Sequence, residues 1–221
     1  MNFPEHLFPA PWPVAAWVPL LAVWVWSGWC APWKRLRASD QLNVMAGMVV
    51  VLALLWSMKA GVRPGLNYHL LGATVFVLAF GPHLATIGLT LVLAAVTLNG
   101  GAAWSSFALN ALVMVVIPVW VAYVIYVIVD SYLPNHLFVY IFVNAFLGGA
   151  LAVLAAGIGA TLLLLGAHVY DAQYLTGEYL PYYLLLAFSE AWISGMAITL
   201  MVVYRPAWIG TFDDARYLLN K

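Results

Sequence analysis

The segment from Asn67 to Asn110 contains no Asp, Glu, Lys or Arg, and it limits most strongly how this chain can fold. Two apolar runs, Leu70–Phe80 and Leu84–Leu98, are separated only by a Gly-Pro-His turn. A Gly-Pro pair ends one helix and begins another, because proline has no backbone N–H to donate to the preceding turn. The segment therefore predicts two short, apolar helices at the centre of the molecule.

The composition of the whole chain indicates a membrane protein. Of the 221 residues, 66% are apolar and 7% are charged, whereas a soluble domain carries about 25% charged residues. The mean hydropathy of +0.97 leaves no polar face to present to water. We therefore expect an all-α integral membrane protein in contact with the lipid bilayer. The net charge of zero offers no basic surface for nucleic acid, and no Walker-type glycine loop is present for binding ATP.

Hydrophobic runs predict a bundle of about seven transmembrane helices in one domain, residues 1–221. A proline-broken external segment, residues 1–13, precedes the bundle, and a cytoplasmic tail, residues 205–221, follows it. At 1.5 Å per residue, the two central helices reach only about 20–25 Å, which is shorter than the ~30 Å hydrocarbon core. The predicted spans are Val14–Trp33, Gln41–Met58, Tyr68–Phe80, Pro82–Leu98, Phe107–Val129, Leu137–Gly166 and Leu184–Tyr204.

The basic residues predict how these spans are oriented. With seven spans, only Lys59 and Arg63 lie on one side, and six basic residues lie on the other. Because cytoplasmic loops carry the excess of Lys and Arg, we expect the C-terminus in the cytoplasm and the N-terminus outside. The six are Lys34, Arg35, Arg37, Arg205, Arg216 and Lys221.

His69 is the first candidate for a metal ligand, because it lies at the external end of the third predicted span. Neutral imidazole is the most common side-chain ligand of late transition metals. If the proline-kinked start of the chain folds inward, His6 or the Met1 amine could meet His69. The alternative interpretation is a histidine that hydrogen-bonds at a helix end without binding a ligand.

The remaining polar residues of the spans do not form a recognisable catalytic set. His83 follows His69 by about 21 Å of straight helix, so the two cannot share one ion unless the span is broken. Glu190 lies inside the seventh span, where we expect it to be neutral, paired or facing a cavity. Asn110 should hydrogen-bond loop backbone. Because no Ser-His-Asp set or paired carboxylates converge, we do not expect an enzyme.

Several short motifs, in order, resemble one family. The relevant positions are His69-Leu70-Leu71-Gly72, Phe80-Gly81-Pro82, Gly100-Gly101 with Ala108-Leu109-Asn110, and Glu190-Ala191-Trp192-Ile193 leading to Arg205-Pro206. Together they are similar to the substrate-capture membrane component of cobalt/nickel energy-coupling-factor importers, the CbiM-type permeases. The similarity extends over most of the chain after residue 60.

The resemblance implies a seven-helix bundle in the bacterial inner (plasma) membrane, with an external N-terminus that threads into the molecule. In that family the ion is held by the N-terminal amine, by a histidine at position two and by the His-Leu-Leu-Gly histidine. The resemblance therefore assigns His69 and Met1 as ligands, but this chain has Asn2 at position two. Either His6 replaces the missing ligand after a different fold-back, or the substrate differs.

The sequence leaves two functions open, a transporter component and a structural subunit. The first is a substrate-capture component of an importer of a divalent transition metal ion, most simply cobalt or nickel. It has no permanent cofactor and requires a transmembrane coupling subunit and ATP-binding subunits. The alternative is a non-transporting membrane subunit that scaffolds or assembles a larger metalloenzyme or respiratory complex. The missing histidine and the tryptophan-rich first span agree with the alternative.

Overall fold

The structure is a computed structural model that describes residues 2–37 and 40–219. Helices predominate, as the composition predicts. In chain order the helices are α1 (Pro11–Cys30), α2 (Trp33–Leu36), α3 (Gln41–Ser57), α4 (Ala73–Phe80), α5 (Pro82–Leu98), α6 (Phe107–Tyr132), α7 (Leu137–Gly166), α8 (172–179) and α9 (Tyr182–Tyr204). Two short helical segments, Pro206–Trp208 and Ala215–Leu219, follow in the tail. Two strands, β1 (Ala60–Arg63) and β2 (Leu66–Tyr68), lie between α3 and α4.

Four of these helices, α1, α6, α7 and α9, are long and apolar enough to cross a membrane. Helices α3 and α5 are apolar but have only 17 residues each. Helix α4 has eight residues, and all of them are buried. Two short helices therefore do lie inside the bundle around the Gly-Pro turn, as the sequence predicts.

The segment before α4 corrects the all-α prediction. Residues 60–68 form an antiparallel hairpin, with Ala60 opposite Tyr68, and α4 begins at Ala73 rather than at Tyr68. The physical reason is Gly72, whose φ of 66° lies in the left-handed region and cannot continue a right-handed helix. Residues 69–72 are consequently irregular backbone enclosed by the bundle.

Helix α7 packs against both α6 and α9, and its small residues allow close contact. A Cβ atom added at Gly157 would collide with the ring of Tyr183, and one added at Gly149 would lie 3.1 Å from Ser194 Cβ. Small residues serve this purpose in membranes, where water provides no drive for helix association. On the other side of the molecule, α3 packs against α5, and α1 also packs against α5.

The residues after α9 close one end of the bundle. The N–H groups of Gly210 and Thr211 donate to the carbonyl oxygens of Ala79 and Leu78, at 2.9 and 3.3 Å, where α4 ends. Arg216 forms a salt bridge of 2.6 Å with Asp130 at the end of α6. The tail therefore holds the end of the bundle at which the central helices turn.

Candidate metal site

The start of the chain runs into the bundle. Only 4% of the surface of Asn2 is exposed, and Phe3 is fully buried. The N–H of Asn2 donates to Asn67 Oδ1 at 2.7 Å, and its side-chain Nδ2 donates to the Gly101 carbonyl at 3.1 Å. The segment thus joins the β-hairpin to the glycine turn that precedes α6.

Asn110, at the start of α6, fixes the next residue of the segment. Its Oδ1 accepts from the N–H of Phe3 at 2.8 Å, and its Nδ2 donates to the carbonyl of Phe3 at 3.3 Å. The hydroxyl of Ser106 donates to the carbonyl of Pro4 at 3.0 Å. Asn110 therefore does bind backbone, as the sequence suggests, and the backbone is that of the chain start. Buried amide pairs of this kind stabilise by about 1 kcal/mol per hydrogen bond.

His69 lies directly beside Asn2. It is 3% exposed, and its Nε2 is 3.3 Å from Asn2 Oδ1, while its Nδ1 is 3.1 Å from the carbonyl oxygen of Leu70. The ring packs against Trp56 with a centroid distance of 5.0 Å. His69 lies in the irregular segment between β2 and α4. Burial lowers the pKa of its imidazole to about 3. The ring is therefore neutral at physiological pH.

A neutral His69 cannot satisfy both neighbouring oxygens, because it carries only one ring N–H. The orientation of the Asn2 amide is fixed, since its Nδ2 must face the Gly101 carbonyl. If Nδ1 of His69 donates to Leu70, the Nε2 lone pair faces Asn2 Oδ1 across 3.3 Å. Two ligand atoms each about 2.1 Å from one ion are separated by about 3.0–3.4 Å. This spacing is compatible with a metal ion bound by both.

Glu190 supports the segment that carries His69. The carboxylate of Glu190, on α9, accepts from the N–H of Leu71 at 2.8 Å and from the N–H of Gly72 at 2.7 Å. Glu190 is 2% exposed and therefore buried with its hydrogen bonds made, as the sequence requires. It lies behind the site and holds the backbone of the His-Leu-Leu-Gly motif.

A polar cavity of about 460 Å³ adjoins Asn2. Lys59 lies in its wall and donates to the Gly101 carbonyl at 2.6 Å, so the same oxygen accepts from Lys59 and from Asn2. Arg63, also in the wall, stacks over Tyr174 at 4.1 Å. Glu5 contributes one carboxylate. The wall of this cavity thus carries positively charged side chains, Lys59 and Arg63, and a negatively charged one, Glu5.

The other predicted ligands have different environments. Met1 lies outside the residues that the structure describes, so its amine stays a prediction. His6 is exposed in the turn after Pro4 and has a φ of 60°. His83 is the second residue of α5 and packs edge-on against Trp26 and Trp120, away from His69. Within residues 2–37 and 40–219, no group of three His, Cys, Asp or Glu side chains could hold a metal ion.

Three contact residues were not singled out from the sequence: Asn67, Ser106 and Lys59. Each uses a hydrogen bond to fix the start of the chain or the glycine turn that it meets. Asn67 had the clearest signal, because it is a polar residue two positions before His69 in an otherwise apolar segment.

The fold is similar to those of solved transition metal transporters. One similar solved structure is described as a truncated transition metal transporter; the TM-score is 0.74, the sequence identity is 21%, and the similarity covers 92% of this chain and 99% of that chain. A second, described as a transition metal transporter, has a TM-score of 0.73 and 21% identity, and covers 92% and 93% of the two chains. At this identity the likeness establishes the fold.

The sequence itself establishes the family. Residues 2–208 match the family model of CbiM, described as the cobalt uptake substrate-specific transmembrane region. The chain therefore belongs to the CbiM family, as its motifs predict. No curated protein matches it significantly.

Proposed function

We propose that this protein captures a divalent transition metal ion, cobalt or nickel, and passes it across the membrane. The observation that carries the proposal is the pairing of two buried ligand atoms, His69 Nε2 and Asn2 Oδ1, at 3.3 Å. Membership of the CbiM family and the fold of transition metal transporters support it. Nitrogen ligands favour late first-row metals over magnesium and calcium.

The proposed site consists of His69, the Met1 amine and Asn2 Oδ1, with His6 as a further candidate. His6 would have to leave its exposed turn to join them. The buried position of Asn2 and Phe3 supports the Met1 assignment, because it brings the start of the chain beside His69. The Asn2 oxygen is a weaker ligand than an imidazole, so we expect moderate affinity.

Transport in this proposal follows the energy-coupling-factor arrangement. The chain crosses the bacterial inner membrane seven times, with α3, α4 and α5 as its shorter crossings. The site faces outward, and the tail faces the cytoplasm. A membrane coupling subunit and ATP-binding subunits supply the energy. The support for this arrangement is the family, together with the tail that closes the opposite end of the bundle from His69.

The experiment that tests the site is metal binding by the His69→Ala variant. We expect the affinity for Ni²⁺ and Co²⁺ to fall at least about 100-fold, about 2.7 kcal/mol, because the buried imidazole that faces Asn2 Oδ1 is removed. Isothermal titration calorimetry on the purified protein in detergent measures it. His168→Asn is the matched control: His168 is exposed with a φ of 53°, which Asn tolerates. Equal affinities for wild type and His69→Ala would refute the site.

The alternative is a scaffolding subunit that binds no metal. One observation favours it: the Asn2 N–H donates to Asn67, and the Asn2 side chain already bridges His69 and Gly101. The contacts can thus be explained as structural links between the chain start and the bundle.

A peptide tag ahead of Met1 separates the two functions. Because Asn2 and Phe3 are buried, a tag would prevent the amine from reaching His69, and metal binding should be lost. The same tag after Lys221 is the control. Metal binding that survives the N-terminal tag, with the protein still folded by thermal unfolding, would exclude the amine as a ligand.

A further inference from the structure

An apolar groove lies between α3 and α9, separate from the polar cavity beside Asn2. Its volume is about 600 Å³. Helix α3 contributes Val44, Met48, Val51 and Leu55, and these recur every three to four residues and so share one face. Helix α9 contributes a matching face, Ile193, Ala197 and Met201. Because α3 packs on α5 and α9 packs on α7, the groove stays open between them.

The dimensions of the groove favour a single acyl chain over a protein helix. The lining residues of α3 extend from Asn43 to Leu55, a rise of twelve residues or about 18 Å at 1.5 Å per residue. One leaflet of the hydrocarbon core is about 15 Å deep. A helix with its side chains is about 10 Å across, so the same length would fill more than about 1,400 Å³. The groove is less than half that volume.

One end of the groove is basic. Trp208 lines this end, its carbonyl oxygen accepts from Arg35 Nη2 at 3.3 Å, and the Arg205 guanidinium lies 5.9 Å from its ring centroid. Asp40 also lines this end, so one lining carboxylate lies at the level of the two arginines beside Trp208. The positive charges exceed the negative at the level where a lipid headgroup would lie.

We propose that this groove binds an anionic phospholipid, with one acyl chain between α3 and α9 and the phosphate beside Arg35 and Arg205. The acyl chain explains how the apolar faces of two separated helices are covered. The inner end of the groove is formed by Leu70, Gly72 and Glu190, which belong to the support of His69. The bound lipid therefore contacts the segment behind the candidate metal site. The proposal requires only a membrane location and does not depend on metal transport.

The test uses Gly47, which lines the groove and where an added Cβ meets no atom within 4 Å. In a Gly47→Leu variant the Cβ atom is accommodated without a collision, and the rest of the side chain occupies part of the groove. Native mass spectrometry of the full-length protein, released from nanodiscs that contain equal phosphatidylglycerol and phosphatidylcholine, measures retained lipid. We expect about one phosphatidylglycerol per wild-type chain and at least a tenfold loss in Gly47→Leu. Gly28→Leu on α1 is the matched control, since an added Cβ there also meets nothing within 4 Å.

The headgroup is tested separately with Arg205→Gln, which should abolish the preference for phosphatidylglycerol over phosphatidylcholine. Arg63→Gln, in the hairpin at the other end of the bundle, should leave it unchanged. Thermal unfolding confirms that each variant is folded. Equal retention by Gly47→Leu and Gly28→Leu would overturn the proposal, as would equal retention of the two lipids by wild type. A membrane subunit that copurifies with wild type but not with Gly47→Leu, without retained lipid, would assign the groove to a protein partner instead.

Discussion

At the scale of single residues, the site depends on what stands at position two. His69 and Asn110 could be chosen from the sequence, because each is an isolated polar residue in an apolar segment. Spacing alone could not pair them with Asn2 and Phe3, which are 67 and 107 residues away in the chain; only the family resemblance indicated that position two lies near His69. The fold adds the contact itself, with Asn2 Oδ1 at 3.3 Å from His69 Nε2. Spacing along a sequence carries no information about such a contact.

Asn2→His introduces the imidazole that the family resemblance implies at this position. We expect the affinity for Ni²⁺ and Co²⁺ to rise at least about tenfold, about 1.4 kcal/mol, because imidazole nitrogen binds these metals more strongly than an amide oxygen. Calorimetry on the two proteins measures the change. Asn2→Ala serves as the control, which loses the oxygen ligand and should bind more weakly than wild type. If Asn2→His and Asn2→Ala bind alike, position two does not contact the ion.

At the scale of secondary structure elements, the hydrophobic pattern predicted the helices well and the hairpin not at all. Pro64-Gly65, between β1 and β2, is a turn signal of the kind that joins two strands. β1 has four residues and β2 has three, and apolar and polar residues do not clearly alternate in either. The sequence pattern therefore gives little indication of the two strands. The start of α4 was misjudged because glycine in an apolar run does not show whether its φ will be positive.

Glu190 joins two of these elements, α9 and the irregular segment before α4. Gln at this position keeps the shape but offers one acceptor oxygen and one NH₂ group, so one of the two backbone N–H groups of Leu71 and Gly72 faces a donor. We expect Glu190→Gln to lower the free energy of unfolding by about 1–3 kcal/mol. Thermal unfolding in detergent measures it, and Ser189→Ala, exposed on the same helix, is the control. An unchanged melting temperature would mean that this carboxylate does not anchor the segment.

At the scale of the whole molecule, the basic residues are divided between the two ends of the bundle. Arg35 and Arg216 lie at the end where the tail contacts α4 and α6, whereas Lys59 and Arg63 lie near the chain start. The sequence predicted this division because the order of apolar runs assigns each loop to a side. It could not predict the groove between α3 and α9, which depends on which helices become neighbours.

Orientation in the membrane can be measured with single cysteines. In a Cys30→Ala background, Gln173→Cys and Asp214→Cys each introduce one thiol at an exposed position. We expect a membrane-impermeant maleimide to label Gln173→Cys in right-side-out vesicles and Asp214→Cys only in inverted ones, because basic loops stay in the cytoplasm. Labelling in the reverse pattern would place the site on the cytoplasmic side.

The buried chain start also sets an order for biogenesis. Residues 2 and 3 hydrogen-bond to Gly101 and Asn110, which lie 99 and 107 residues later. A ribosome must therefore translate about 100 further residues before residues 2 and 3 can make these hydrogen bonds. Until then residues 2 and 3 lack these hydrogen-bond partners. The site around His69 can therefore form only after α6, which carries Asn110, has entered the bilayer.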